Sequence, residues 1–346
     1  MSVWNRIIGH EWAVDLLRGA IIHDRVGHAY LITGPRQVGK ATLARTFAMA
    51  LNCEAEALDE RPCGRCRPCI LIADGRHPDV RLLLPEVSGR GKLTLKIDQI
   101  RGLQQELSLT ATEARYKIAI LKQFDAANPS AANAFLKTLE EPPNHVILLL
   151  TASEADALLP TITSRCRTIA LRPLPTATIE QVLQDQYQTQ SDQARLLAHL
   201  ANGRLGWAIE ANQEAAILAE RALQMALLKE LLAADRVGRF DIAEKLARQP
   251  EMLPDVLQSW LSWWRDLAVL TWRSAGNNGQ AQLTNIDQLI WLQNLAGAYS
   301  PPEITASLKR TEKSLWALEH NANARLVLEN LFLKYPSAHL VPAPPG

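Results

Sequence analysis

A strand, a glycine-bounded loop and a helix follow one another between residues 29 and 48, and that order leaves few folds open to this chain. Ala29-Tyr30-Leu31-Ile32 is an apolar run of strand length, and Leu43-Ala44-Arg45-Thr46-Phe47-Ala48 is amphipathic at helical spacing. Between them stands Gly34-Pro35-Arg36-Gln37-Val38-Gly39-Lys40-Ala41-Thr42. Gly34 and Gly39 let the backbone curl so that successive N–H groups converge on one anion. The helix N-terminus adds partial positive charge, and Lys40 can reach the outer phosphates. This is the pattern of a nucleotide-binding loop, with Gly34, Gly39, Lys40, Ala41 and Thr42 as candidate binding residues for ATP or ADP. Position 41, where a hydroxyl would hold magnesium, is alanine, and Thr42 on a helix points about 100° away from it.

The next chemical signal is Cys53 followed by Cys63-Gly64-Arg65-Cys66-Arg67-Pro68-Cys69. Two Cys-x2-Cys steps share Cys66, and Cys53 returns from the end of the preceding helix. The set supplies four thiolates at spacings that a tetrahedral Zn2+ accepts. Four protein ligands leave no position for water, so the expected site is structural and ties an insertion to the helix after the loop. His77 lies nearby, but the four cysteines already complete a coordination shell.

Strand and helix patterns then alternate: Val80 to Leu84, a helix from about Ile97 to Leu107, Lys117 to Leu121, a helix from about Ser130 to Glu140, and His145 to Thr151. Such repetition predicts a mostly parallel sheet covered by helices, an α/β fold. A loop, Ser88 to Lys92, is expected before the first of these helices. An ATPase would carry carboxylates just past the strand at 117–121, for magnesium and for the attacking water. Here Lys122 and Gln123 occupy those places, and Asp125 lies three residues beyond Lys122. With Ala41, this makes two losses of metal-binding chemistry and predicts little intrinsic hydrolysis.

Upstream, Trp12, Leu16, Leu17 and Ala20 recur at helical spacing, and Ile8-Gly9-His10 is either part of a base pocket or only the turn before that helix. The formal net charge of +1 gives no broad nucleic-acid footprint. No apolar run approaches ~18 residues, and Met1 to Arg6 lacks the apolar core of a signal peptide. These features predict a cytoplasmic chain with no membrane segment.

The run Ala131-Ala132-Asn133-Ala134-Phe135-Leu136-Lys137-Thr138-Leu139-Glu140-Glu141-Pro142-Pro143, followed by Thr163-Ser164-Arg165-Cys166, resembles the AAA+ clamp-loader family. With the cysteine cluster directly after the phosphate-loop helix, the chain is similar to the bacterial DNA polymerase III members of that family. These include motor subunits (gamma/tau) and the delta-prime kind, and the altered metal positions favour the latter. The resemblance implies a P-loop domain with a parallel sheet, a small helical lid and an all-α C-terminal collar. It implies a place in a heteropentamer beside motor and delta subunits, acting on a sliding clamp and primer-template DNA. It also implies a role for Arg165 as an arginine finger in trans, stabilising charge on a neighbour's γ-phosphate. Read from the residues alone, Arg165 is an exposed arginine closing a salt bridge, Cys166 a small buried residue, and Glu140-Glu141 a helix end before two prolines. By the family spacing Gly206 occupies the place of a second sensing arginine, with Arg204 nearby.

Arg172-Pro173-Leu174-Pro175 is a stiff linker, which predicts domains at 1–175, 176–212 and 213–336, followed by a disordered tail at 337–346. Trp260, Trp263 and Trp264 share one helix face, as core or subunit interface. Asn277-Asn278-Gly279 reads as a loop, and Asn321 to Leu331 as the closing helix. Two other functions remain open: an active gamma/tau-type motor, which Ala41, Lys122 and Gln123 argue against, and a zinc-dependent DNA-binding adaptor, to which the near-neutral composition lends no support.

Overall fold

The structure is a computed structural model, and it describes residues 3–87, 93–273, 283–320 and 322–337. The expected loops at Ser88 to Lys92 and Asn277-Asn278-Gly279 lie outside the described residues, as does the expected tail beyond residue 337. The chain divides into two compact units, residues 1–178 with 203–206, and residues 179–202 with 207–346.

The first unit runs α1 (Glu11–Ile22), β1 (Ala29–Thr33), α2 (Lys40–Asn52), α3 (Arg67–Ala73), β2 (Val80–Leu83), β3 (Glu86–Val87), β4 (Leu93–Thr94), α4 (Ile97–Ser108), β5 (Lys117–Leu121), α5 (Pro129–Glu140), β6 (Val146–Ala152), α6 (Pro160–Thr163) and β7 (Arg167–Ala170). Five strands form one parallel sheet in the order β2-β5-β6-β1-β7, while β3 and β4 pair as a separate antiparallel ribbon. Strands β1, β5 and β6 are buried along their whole length, as a parallel sheet covered on both faces requires.

Alternation along β1 divides its side chains between two cores. Tyr30 and Ile32 pack with Leu43 and Phe47 of α2, the Tyr30 and Phe47 rings meeting edge-on with centroids 5.1 Å apart. Ala29 and Leu31 pack on the opposite face with Leu103 of α4 and Phe135 of α5. Local chemistry sets the helix ends. Pro129 begins α5 at a position where a missing N–H costs nothing, and the Asn128 side chain accepts from the Ala131 N–H at 2.8 Å. In α1 the apolar spacing covers two faces: Leu17 and Ala20 are buried with Ala13 and Val14, whereas Trp12 and Leu16 are exposed.

The second unit is helical: α7 (Thr176–Tyr187), α8 (Ser191–Ala201), α9 (Leu205–Gln213), α10 (Ala215–Ala233), α11 (Arg236–Ala247), α12 (Leu253–Arg273), α13 (Leu289–Ala296), α14 (Pro301–Glu319) and α15 (Ala324–Leu333), with the first turns of α7 and α9 belonging to the first unit. The tryptophan stripe on α12 is core. Trp260, Trp263 and Trp264 are fully buried, and the Trp260 indole donates to the Gln224 carbonyl at 2.9 Å. The last helix starts later than its composition suggests, because the Asn323 side chain accepts the Leu326 N–H at 3.2 Å and caps α15 there. Among the described residues no helix is long and apolar enough to cross a membrane.

Candidate functional site

The loop between β1 and α2 is shaped by close approach. Gly34 has φ +141°, and a Cβ there would stand 2.5 Å from the Leu171 carbonyl oxygen at the end of β7. Only glycine fits such a position. Gly39, at φ +111°, caps the start of α2 in the left-handed region. The Gly34 N–H donates to the Ser153 carbonyl at 3.0 Å, fixing the loop to the end of β6. His10, buried before α1, donates through Nε2 to the Val38 carbonyl at 3.2 Å, and burial holds its pKa below the usual value.

Lys40 folds back over the loop and donates to the carbonyls of Gly34 and of Pro35, the latter at 2.7 Å. Burial pulls its pKa down to about 8, opposed by the Asp125 carboxylate and reinforced by Arg36. Asp125 therefore acts on the lysine electrostatically. Its Oδ2 accepts from the Ser153 N–H at 3.0 Å and hydroxyl at 2.5 Å, while Oδ1 is buried with no hydrogen-bond partner. Ser153 thus joins the phosphate loop to Asp125.

At the end of β5 the ammonium of Lys122 is half-buried, its pKa lowered by burial and by Arg45. Gln123 follows at φ +51°, its N–H donating to the Thr151 hydroxyl at 3.0 Å. The Lys122 cation repels magnesium, and the neutral Gln123 amide supplies none of the negative charge that a carboxylate would. Ala41 and Thr42 occupy the first turn of α2.

The four cysteine sulfurs lie within 4.8 Å of one another, with Cys53 and Cys66 Sγ 4.0 Å apart. Tetrahedral zinc with Zn–S bonds of ~2.3 Å needs sulfurs ~3.8 Å apart, so the donor set fits the metal. Cys53 ends α2, Cys66 caps α3, and Cys69 lies in its first turn. Backbone N–H groups of Cys63 and Cys66 donate to sulfur at 3.3 Å, the kind of contact that favours thiolate. Burial pushes the Cys53 and Cys69 thiols up. It pushes Cys63 up as well, but hydrogen bonds from Arg65, Cys66 and Cys53 outweigh it and hold that thiol at about 6. His77 is not one of the clustered donors. Its Nδ1 accepts the Asp79 N–H at 3.1 Å.

Arg165 follows α6, two residues before β7. Its Nη2 lies 2.8 Å from Glu140 Oε1, and its Nη1 donates to the Thr161 carbonyl at 2.9 Å. The side chain is 36% exposed. Cys166 is half-buried beside the α5 face of the sheet, and burial raises its pKa to about 11.

A family model described as DNA polymerase III, delta subunit, matches residues 9–175. The delta-prime subunit of Bacillus subtilis DNA polymerase III is 37% identical over 189 residues, 55% of each chain. That of Pseudomonas aeruginosa is 42% identical over 150 residues, 43% of this chain and 44% of the other. Over residues 9–175 the chain is similar to DNA polymerase III clamp-loader subunits of the delta-prime kind. The tau subunit of Bacillus subtilis is also similar, 32% identical over 202 residues that cover 57% of this chain and 35% of tau. The chain spans about half the length of its delta-prime relatives and less of tau.

Three features of this chain carry no signal in the sequence. Ser153 carries no motif, and its link to Gly34 and Asp125 arises where β6 ends. Glu140 reads as a helix end, and pairs with Arg165 only after folding. Gly206 reads as an absent arginine, whereas its N–H donates to the Gln37 carbonyl in the phosphate loop at 2.9 Å.

Proposed function

We propose that the chain is a largely non-hydrolysing stator of a DNA polymerase III clamp loader, and that it lends Arg165 in trans to the ATP site of a neighbouring gamma/tau-type motor subunit. A fixed guanidinium charge beside a γ-phosphate stabilises the negative charge that develops as the phosphoryl group departs. The observation that carries this reading is the Arg165 guanidinium, partly exposed and held through its two terminal nitrogens, on a chain whose own metal positions are Ala41 and Lys122. The partners are the motor and delta subunits of a heteropentamer, acting on a sliding clamp and primer-template DNA. Residues 176–212 serve as a lid and 213–336 as the collar. ATP or ADP held by Lys40 and the loop amides would be a structural ligand, and zinc on Cys53, Cys63, Cys66 and Cys69 would brace the segment between α2 and β2.

The test is clamp- and DNA-stimulated ATP hydrolysis by the assembled loader carrying either the wild-type chain or Arg165→Ala. Turnover should fall by roughly tenfold or more while assembly is retained. Unchanged turnover with Arg165→Ala, together with its loss in Lys40→Ala, would identify this chain as a motor instead.

A further inference from the structure

We infer that Glu140 is a positioning residue for the arginine finger, setting the orientation in which Arg165 is offered to the neighbouring site. The inference rests on the finger role proposed above.

Glu140 is the last residue of α5, followed by Glu141. The C-terminal end of a helix carries partial negative charge, so an anion there is locally unfavourable, and a second carboxylate makes it more so. Nor does a half-exposed ion pair repay this through stability, because solvent screens it and two long side chains must be ordered to form it. Glu140 is 50% and Arg165 36% exposed. A residue that opposes its own helix, in an ion pair of little worth to folding, points to a role other than stability.

The geometry supplies that function. Nη2 meets Glu140 Oε1 at 2.8 Å and Nη1 meets the Thr161 carbonyl at 2.9 Å, with a longer contact of 3.4 Å to the Ser164 hydroxyl. Two anchors from different elements, the end of α5 and the turn of α6, fix the plane of the fork. A guanidinium carries five N–H donors, so these contacts leave others, Nε–H among them, to meet phosphate oxygens. Holding the fork in advance removes the conformational cost of engagement, since an untethered arginine must surrender several rotors at the moment of binding. Glu140 touches neither substrate nor nucleotide in this scheme and acts only through Arg165.

The decisive experiment measures ATP turnover in the assembled loader for Glu140→Ala, Glu140→Gln, Arg165→Ala and the Glu140→Ala/Arg165→Ala pair, with assembly checked by gel filtration. Glu140→Ala should lower kcat by ~3- to 10-fold at unchanged KM for ATP, the signature of an interaction made only in the transition state. Glu140→Gln, which keeps an acceptor oxygen and the side-chain volume, should recover part of the loss. The double variant should be no slower than Arg165→Ala, because a residue acting through another adds nothing once that one is gone. If Glu140→Ala matches or exceeds wild type while Arg165→Ala is impaired, the positioning role is overturned and the finger stands. An additive double variant overturns it equally. If Arg165→Ala itself is normal, the finger reading fails and this inference with it.

Discussion

The backbone N–H of Gly206 donates to the carbonyl of Gln37 at 2.9 Å, tying the first turn of α9 to the phosphate loop. The first N–H groups of a helix have no partner within it, and one of them is satisfied here by the loop. A Cβ at position 206 would lie 2.8 Å from the same carbonyl oxygen. Any side chain, arginine included, requires the loop or the helix to move.

Gly206→Ala is expected to destabilise the chain by about 1 kcal/mol in urea. Replacing a helical glycine by alanine ordinarily gains ~0.5–1 kcal/mol, but an overlap with backbone costs ~1–3 kcal/mol and should prevail. A variant more stable than wild type would show that the gap opens freely.

Native mass spectrometry should find one zinc per chain, and removing it should lower the thermal midpoint. Bound cysteines must be ionised, so protons compete with the metal and release should set in as pH falls. A bare apo mass, or a midpoint indifferent to chelation, would contradict the fit of the four sulfurs.

In the second unit, Arg239 is buried between α11 and the end of α15. Its guanidinium donates to the carbonyls of Phe332 at 2.7 Å, Tyr335 at 2.6 Å and Pro336 at 3.1 Å. Arg239→Ala would strand these acceptors and leave a void, and should cost about 3 kcal/mol by denaturant titration. A change below ~1 kcal/mol would mean that water replaces the guanidinium without penalty.

Lys40 supplies a pH test with a defined sign. Its folded pKa of about 8 lies below the ordinary lysine value of 10.5, so between these limits the unfolded chain binds more protons and stability from this group rises with pH. Lys40→Met should remove that rise. A nucleotide phosphate favours the charged amine, so affinity for ADP should weaken as pH climbs through about 8. With Ala41 and Lys122 in place of magnesium ligands, exchanging magnesium for EDTA should alter that affinity by less than roughly twofold. Strong magnesium dependence would reveal a metal site built from other residues.

The order of strands and helices in the first unit was readable because β1, β5 and β6 are continuous apolar runs, and because glycine and cysteine carry meaning at fixed spacing. The phosphate loop and the cysteine cluster are local in sequence, and they come together as their spacing requires. What stayed hidden is long-range. Asp125 meets Ser153 where β5 and β6 end, and Glu140 meets Arg165 ahead of β6 and β7, only because parallel strands bring separate loops together at each end of the sheet. Trp12 and Leu16 show a different limit: helical periodicity groups residues into faces without saying how wide the buried face is.

The phosphate loop leaves the end of β1, and Arg165 stands just ahead of β7, which pairs with β1 in the register Tyr30 to Arg167 through Thr33 to Ala170. A hydrogen-bonded ladder of this kind yields little along its length. The place where this chain could receive a phosphate and the place where it could reach toward another's are therefore mounted on one stiff bracket. A tilt imposed at either end must appear at the other, so the bracket passes on displacement without needing to change its own shape.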